Sequence, residues 1–197
     1  MTSAAAGFRS HTGWTAAVAL VGPPDAPRVV ARKRIDLLAR GVPFECYHAA
    51  ANLSPAKAEA LIERALTTAT DLAREALLDI TNDLRATKDK LIAAGVVLSS
   101  ARPLLSVEDA LSSHTTMHTA EGLLYRQALM DAAKGLRLRV VAVPERNLPD
   151  IASNALGISA AALRGRVGDL GRELGAPWAL DQKHAALAAW LALASKR

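Results

Sequence analysis

Three residues near the middle of the chain, His114, His118 and Glu121, have the types and spacing of a metal-ligand set. On a helix, offsets of four and three place them on one face. Two imidazoles and a carboxylate suit Zn²⁺, Mn²⁺ or Fe²⁺, although the order is not the His-Glu-x-x-His of zinc peptidases. A plainer reading starts a helix at Thr119, with Thr119 as its cap, Glu121 in the positive first turn and both histidines solvated. Pro103 and the threonine-rich 115–119 stretch leave room for a break between the histidines. Cys46 and His48 suggest a nucleophile pair. If they lie in a strand, however, they share a face with their Cβ atoms too far apart for a direct bond, so Cys46 reads as a core residue. Glu145-Arg146 follows an apolar run, either as a surface ion pair or as the rim of a ligand cleft at a strand's carboxyl end. The sequence holds no P-loop, dinucleotide glycine fingerprint or serine nucleophile elbow.

The 197 residues carry a net charge of +5, and the sequence pI is near 9.7. Hydrophobic residues make up 51%, which excludes disorder, and the single Cys46 excludes a disulfide scaffold. Aromatics are only 4%, too few for a base-stacking platform, so the apolar mass is Ala, Leu and Val. No stretch of about 20 residues is free of charge, which argues against a membrane span. The first residues lack the basic-then-apolar order of a secretory signal, and this predicts a cytoplasmic protein. Basic residues concentrate at 28–40, at Arg137 and Arg139, and at Arg164, Arg166 and Arg172. They permit a nucleic-acid partner, or serve as solvated strand edges.

Hydrophobic periodicity supplies the elements that would position these groups. Apolar runs at 14–21, 28–38 and 43–51, separated by turn residues, predict three antiparallel strands, with 1–6 as a loose end. Ser54-Pro55 opens a long helix that Gly95 closes. Residues 96–100 predict a fourth strand and 138–143 a fifth, with a helix over 119–134 between them as a right-handed parallel crossover. Ser106 starts a short helix. Helices follow at 149–156, 160–174 and 182–195. The last is almost all Ala and Leu. Gly165, Gly168 and Gly171, three apart in the helix before it, imply close packing on a neighbour.

This order resembles the ribonuclease H-like fold, and in particular the RuvC-type Holliday junction resolvases. Resolvases of that type close with a small apolar helix that opens on an aspartate and carries a second one a turn later. Asp181-Gln182-Lys183-His184-Ala185-Ala186-Leu187-Ala188 is similar, with Asp181 in the first acidic place and His184 in the second. Residues 119–143 and Pro144-Glu145-Arg146 also resemble that family. The resemblance implies an α/β, three-layer fold in one domain over 1–197. Its mixed five-stranded sheet has three antiparallel strands followed by two parallel ones, with helices on both faces, and 145–197 packs on the sheet as a helical part. The departures lie in the acids. Where the family's first strand carries an aspartate, this chain reads Arg9-Ser10-His11-Thr12-Gly13-Trp14, and the fourth strand, Val96-Val97-Leu98-Ser99-Ser100, has no glutamate. A two-metal nuclease needs carboxylates that bridge its ions.

In the resembled fold the start of the first strand neighbours the final helix. Ser10, His11, His118, Glu121, Asp181 and His184 are therefore expected to converge on one pocket, with the histidines as acid and base. Alternatively, Asp181 is only the N-cap of its helix. Ser10, His11, Asp181 and His184 are the catalytic candidates. His114, His118, Glu121 and Asp181 are the candidates for holding Mg²⁺, Mn²⁺ or Zn²⁺. Three functions compete. One is a nucleic-acid-binding protein with a degenerate acidic centre, and another a metal-dependent phosphodiester hydrolase refurnished with histidines. The third is a homodimeric interaction protein with a seam along its last helices.

Overall fold

A computed structural model describes residues 1–99 and 106–195. Five strands, β1 (Ser3–His11), β2 (Trp14–Val21), β3 (Arg28–Asp36), β4 (Lys90–Leu98) and β5 (Arg139–Pro144), form one sheet in the order β3-β2-β1-β4-β5. β1 pairs antiparallel with β2, and β2 antiparallel with β3. β1 to β4 and β4 to β5 are parallel. The helices are α1 (Cys46–Ala50), α2 (Pro55–Ala86), α3 (Val107–Leu111), α4 (His114–Gly135), α5 (Leu148–Leu156), α6 (Ala160–Leu170) and α7 (Leu180–Ala194). α1, α2 and α4 bury their apolar faces on one side of the sheet, and α5, α6 and α7 on the other. This is the mixed sheet between helical layers that the element order implied. Among the described residues no helix is long and apolar enough to cross a membrane.

The largest correction is at the N-terminus. Residues 3–6 are not loose but belong to β1, the central strand, where Ala4, Ala5 and Ala6 are fully buried. Alanine is a poor strand former by itself. Here burial on both faces decides, with Ala4, Ala6 and Phe8 entering one core and Ala5 the other. The three antiparallel strands therefore begin one strand earlier, and 43–51 contains helix α1 rather than a strand.

Small residues have a structural purpose at the sheet centre. Gly7 of β1 pairs with Gly95 of β4, and α7 lies directly on both. A Cβ on Gly7 would collide with the Ala185 carbonyl and the Ala189 amide, and one on Gly95 with the Ala188 backbone. Gly95 is thus a mid-strand contact and not the end of a helix. α2 stops at Ala86, and β4 starts at Lys90, six residues before the expected start at 96. The apolar stretch 91–94 satisfies either period, and the sheet claims it. Gly165 and Gly168, expected at a tight helix contact, face open space, whereas Gly171 packs on Trp178. Ala185 to Leu193 of α7 are buried in the chain's own core. That face is consequently closed to the homodimer seam.

α4 begins at His114, five residues before Thr119. Ser113 is its cap, exchanging hydrogen bonds with Thr116. His114 and His118 therefore sit on consecutive turns of one unbroken helix. Ser100 and Arg102-Pro103 lie outside the described residues.

Candidate functional site

The fold gathers the polar candidates into two groups. The first lies where the carboxyl ends of β1 and β5 meet the start of α7. Side chains alternate along a strand, so Arg9 and His11 of β1 face α7 while Ser10 turns to the other side of the sheet with Phe8. The Ser10 hydroxyl is buried there without a partner among the described residues. Glu145 follows β5 directly. Asp181 and His184 occupy the first turns of α7.

Arg9 is the hub. Its Nε and Nη2 each lie 2.9 Å from Glu145 Oε1, and its Nη1 donates to Asp181 Oδ1. His11 Nε2 is 3.0 Å from Asp181 Oδ1 and 2.7 Å from Arg9 Nη1. His184 Nδ1 is 3.1 Å from Glu145 Oε1. The His11 ring stacks on Trp14 at 4.3 Å, and the Arg34 guanidinium covers the same indole at 3.8 Å. Asp181 does not cap its helix. The N-cap position is Ala179, whose amide donates to Gln182 Oε1, and the Asp181 carboxylate is committed to Arg9 and His11.

A pair of Mg²⁺ ions does not fit this donor set. Such ions need several oxygen ligands and bridging carboxylates. Among the described residues only Glu145 and Asp181 supply carboxylates here, and a guanidinium already stands between them. Arg9 bridges the two carboxylates. Arg126 adds to the positive side. Burial lowers its basicity, with Glu145 opposing and Arg9 reinforcing that effect, and it remains charged as arginines do.

Glu145 links this geometry to pH. Burial pushes its carboxyl up, but the hydrogen bond and charge of Arg9, followed by those of His184, hold it below the ordinary value. The folded state therefore binds this proton less readily than the unfolded chain does. The resulting stability is fully present above the unfolded value of about 4.3 and is lost as pH falls through the lower folded value. In urea titrations the stability difference between the natural protein and Glu145→Gln is expected to stay level from about pH 7 to 5 and to shrink below about pH 4.3. A difference unchanged at lower pH would show that the ion pair does not exist.

The second group lies on the opposite face of the sheet, between α1 and α4. Glu121 is fully buried, its Oε1 accepting from the Tyr47 amide at 2.7 Å and its Oε2 from the Cys46 thiol at 3.5 Å. No side chain of α1's own N-cap serves this helix start, so a carboxylate from α4 satisfies its free amide and meets its positive end. Glu121 is thus an anchor between helices. Burial, reinforced by the charge and hydrogen bond of Glu121, pushes the Cys46 thiol up to about 12. The thiolate needed for nucleophilic attack is therefore scarce at neutral pH.

This anchoring brings His48 beside His114 and His118. The ring centroids are 5.0 Å apart for His48–His114, 4.5 Å for His48–His118 and 4.4 Å for His114–His118. His48 Nδ1 is 3.7 Å from Glu121 Oε1.

The single expected pocket is therefore two. His11, Asp181 and His184 come together through Arg9 and Glu145. His114 and His118 come together with His48, with Glu121 behind them, and Ser10 joins neither set of hydrogen bonds. Sequence reasoning missed Arg9 as a participant, because no motif marks an arginine at the end of a strand. It weighed His48 only beside Cys46 and not with His114 and His118, because 43–51 reads as a strand.

No family model matches the chain, and no curated protein does. Solved structures share its fold, two RuvC structures among them. One is Thermus thermophilus RuvC, 12% identical, with a TM-score of 0.50 over 95% of this chain and 92% of that one. The other is T. thermophilus RuvC in complex with Holliday junction substrate, also 12% identical, with a TM-score of 0.53 over 96% and 91%. At this identity the likeness establishes the ribonuclease H-like fold that the sequence resemblance implied.

Proposed function

We propose that this chain binds nucleic acid, preferentially branched DNA, without cutting it by a two-metal mechanism. The observation that carries the reading is Arg9, which bridges Glu145 and Asp181. In a centre of this kind the bridging charge is a fixed guanidinium rather than an exchangeable metal. The fold supports the partner class, since a neighbour of that fold is described in complex with a Holliday junction. The net charge of +5 is compatible with a phosphate-bearing ligand.

Binding would draw on cations around the sheet's carboxyl end. Arg146 and Lys183 are exposed next to Glu145 and His184 in sequence. Each phosphate neutralised releases counterions, so affinity would fall with salt at a slope near −0.9 per contact on duplex arms. Fluorescence anisotropy with a labelled four-way junction, a linear duplex and a single strand provides the test. The reading expects the junction to bind tightest, with a steep salt dependence weakened in the Arg146→Glu, Lys183→Glu double variant. An equal lack of binding to all three at low salt would refute it.

The three-histidine group favours a second reading, metal-assisted phosphodiester hydrolysis at His114 and His118. Cleavage that persists in Asp181→Asn but disappears in His118→Ala would select it.

A further inference from the structure

We propose that His48, His114 and His118 bind one transition-metal dication of the Zn²⁺ class. The proposal is independent of the nucleic-acid reading. One ligand nitrogen from each of the three rings lies within 4.8 Å of the other two. With Zn–N bonds near 2.0–2.1 Å, tetrahedral coordination sets nitrogens about 3.4 Å apart, so modest side-chain rotations close the set. Two of the ligands come from consecutive turns of α4. The third is delivered by α1, which Glu121 pins in place.

The unsatisfied groups point the same way. Among the described residues, both ring nitrogens of His48 are buried without a hydrogen-bond partner. Buried polar atoms are rarely left so, and a cation would occupy one of these lone pairs. The donor type selects the ion. Mg²⁺ and Ca²⁺ require oxygen ligands, and the nearby carboxylate, Glu121, is engaged with the α1 backbone. Imidazole suits Zn²⁺, Cu²⁺ and Ni²⁺. Glu121, 3.7 Å from His48 Nδ1, stands where a carboxylate behind a metal-bound histidine orients the ring.

Three protein nitrogens leave a fourth position to water or an anion. His114 and His118 line a cleft of about 400 Å³ with Ser99 and Arg126. The Arg126 guanidinium favours an anionic fourth ligand there. Both histidines are exposed, which gives the ion an entry path.

The test is calorimetric titration of Zn²⁺ into chelator-treated full-length protein, with Co²⁺ absorption as a second readout. We expect one ion per chain and visible Co²⁺ bands of a four-coordinate site. His118→Ala and His48→Ala should each weaken binding by about 100-fold or more, since loss of even an outer partner costs roughly 10–100-fold. His118 is exposed, so its variant keeps the fold and remains decisive if His48→Ala does not. Absence of stoichiometric binding, or binding that His118→Ala leaves unchanged, overturns the proposal. So does binding abolished by His184→Gln alone, which would locate the ion at the Arg9 centre.

Discussion

Gly95→Ala is expected to remove a large part of the native stability. An added methyl would collide with the Ala188 carbonyl, which belongs to the backbone of the buried stretch of α7. No rotamer can relieve that clash, so α7 must lift off the sheet. Overpacking a core costs roughly 1–3 kcal/mol where side chains can shift, and here the obstacle is main chain. About 4 kcal/mol or more is the expected loss, a large part of the roughly 5–15 kcal/mol that holds a domain together. Gly7→Ala should behave alike, because its methyl would meet the Ala185 carbonyl. Gly165→Ala is the contrast. Its surroundings are open and it lies inside α6, so alanine should stabilise by about 0.5–1 kcal/mol. Urea unfolding followed by circular dichroism separates the three. A cooperative Gly95→Ala protein of natural stability would mean that α7 does not sit on the glycine pair.

Replacing Arg9 should produce the largest effect among the polar residues. Arg9→Met leaves Glu145 and Asp181 facing each other without their shared cation. The three side chains are 17%, 30% and 26% exposed. Breaking a fully buried ion pair costs about 3–5 kcal/mol, and at this partial exposure about 2–3 kcal/mol is expected. The loss should diminish at low pH, because protonation of Glu145, which Arg9 holds below its ordinary value, removes that acid's share of the repulsion. Arg9→Asp carries the argument further, by converting two acids and a base into three acids. That variant, unlike the natural protein, should gain stability from Mn²⁺, by about 2.7 kcal/mol at an ion concentration a hundredfold above its dissociation constant. Thermal melts with and without Mn²⁺ measure this. An equal shift in both proteins would show that Arg9 does not fill the cation's place.

How legible each element was depends on which force fixes it. α7 could be read from its unbroken Ala and Leu run, and β2 from WTAAVALV, because burial on all sides leaves an unambiguous apolar segment. β1 could not. Its SAAAGFRSH sequence has neither branched residues nor alternation, and becomes a strand only because β2 and β4 pair with it on either side. The glycine pair that α7 requires is invisible until the two strands are in register. Asp181 and His184 are marked in the sequence by the resemblance, and the geometry joins them to His11 through Arg9 and Glu145. Arg9 was passed over as the mere absence of an aspartate, although it organises the whole group. On the other face, the His114 and His118 spacing was readable. Their partner His48 depended on a five-residue helix whose start is satisfied by Glu121 from another element, a tertiary contact without local signature.

The central claim is that Arg9 replaces metal chemistry at the Asp181 centre. Its most direct test is incubation of the natural protein with a labelled four-way junction in Mg²⁺ and in Mn²⁺, with binding and strand cleavage followed together. The account predicts a bound junction and intact strands with either ion. Metal-dependent cleavage that Asp181→Asn abolishes, while that variant still folds and binds, would contradict it.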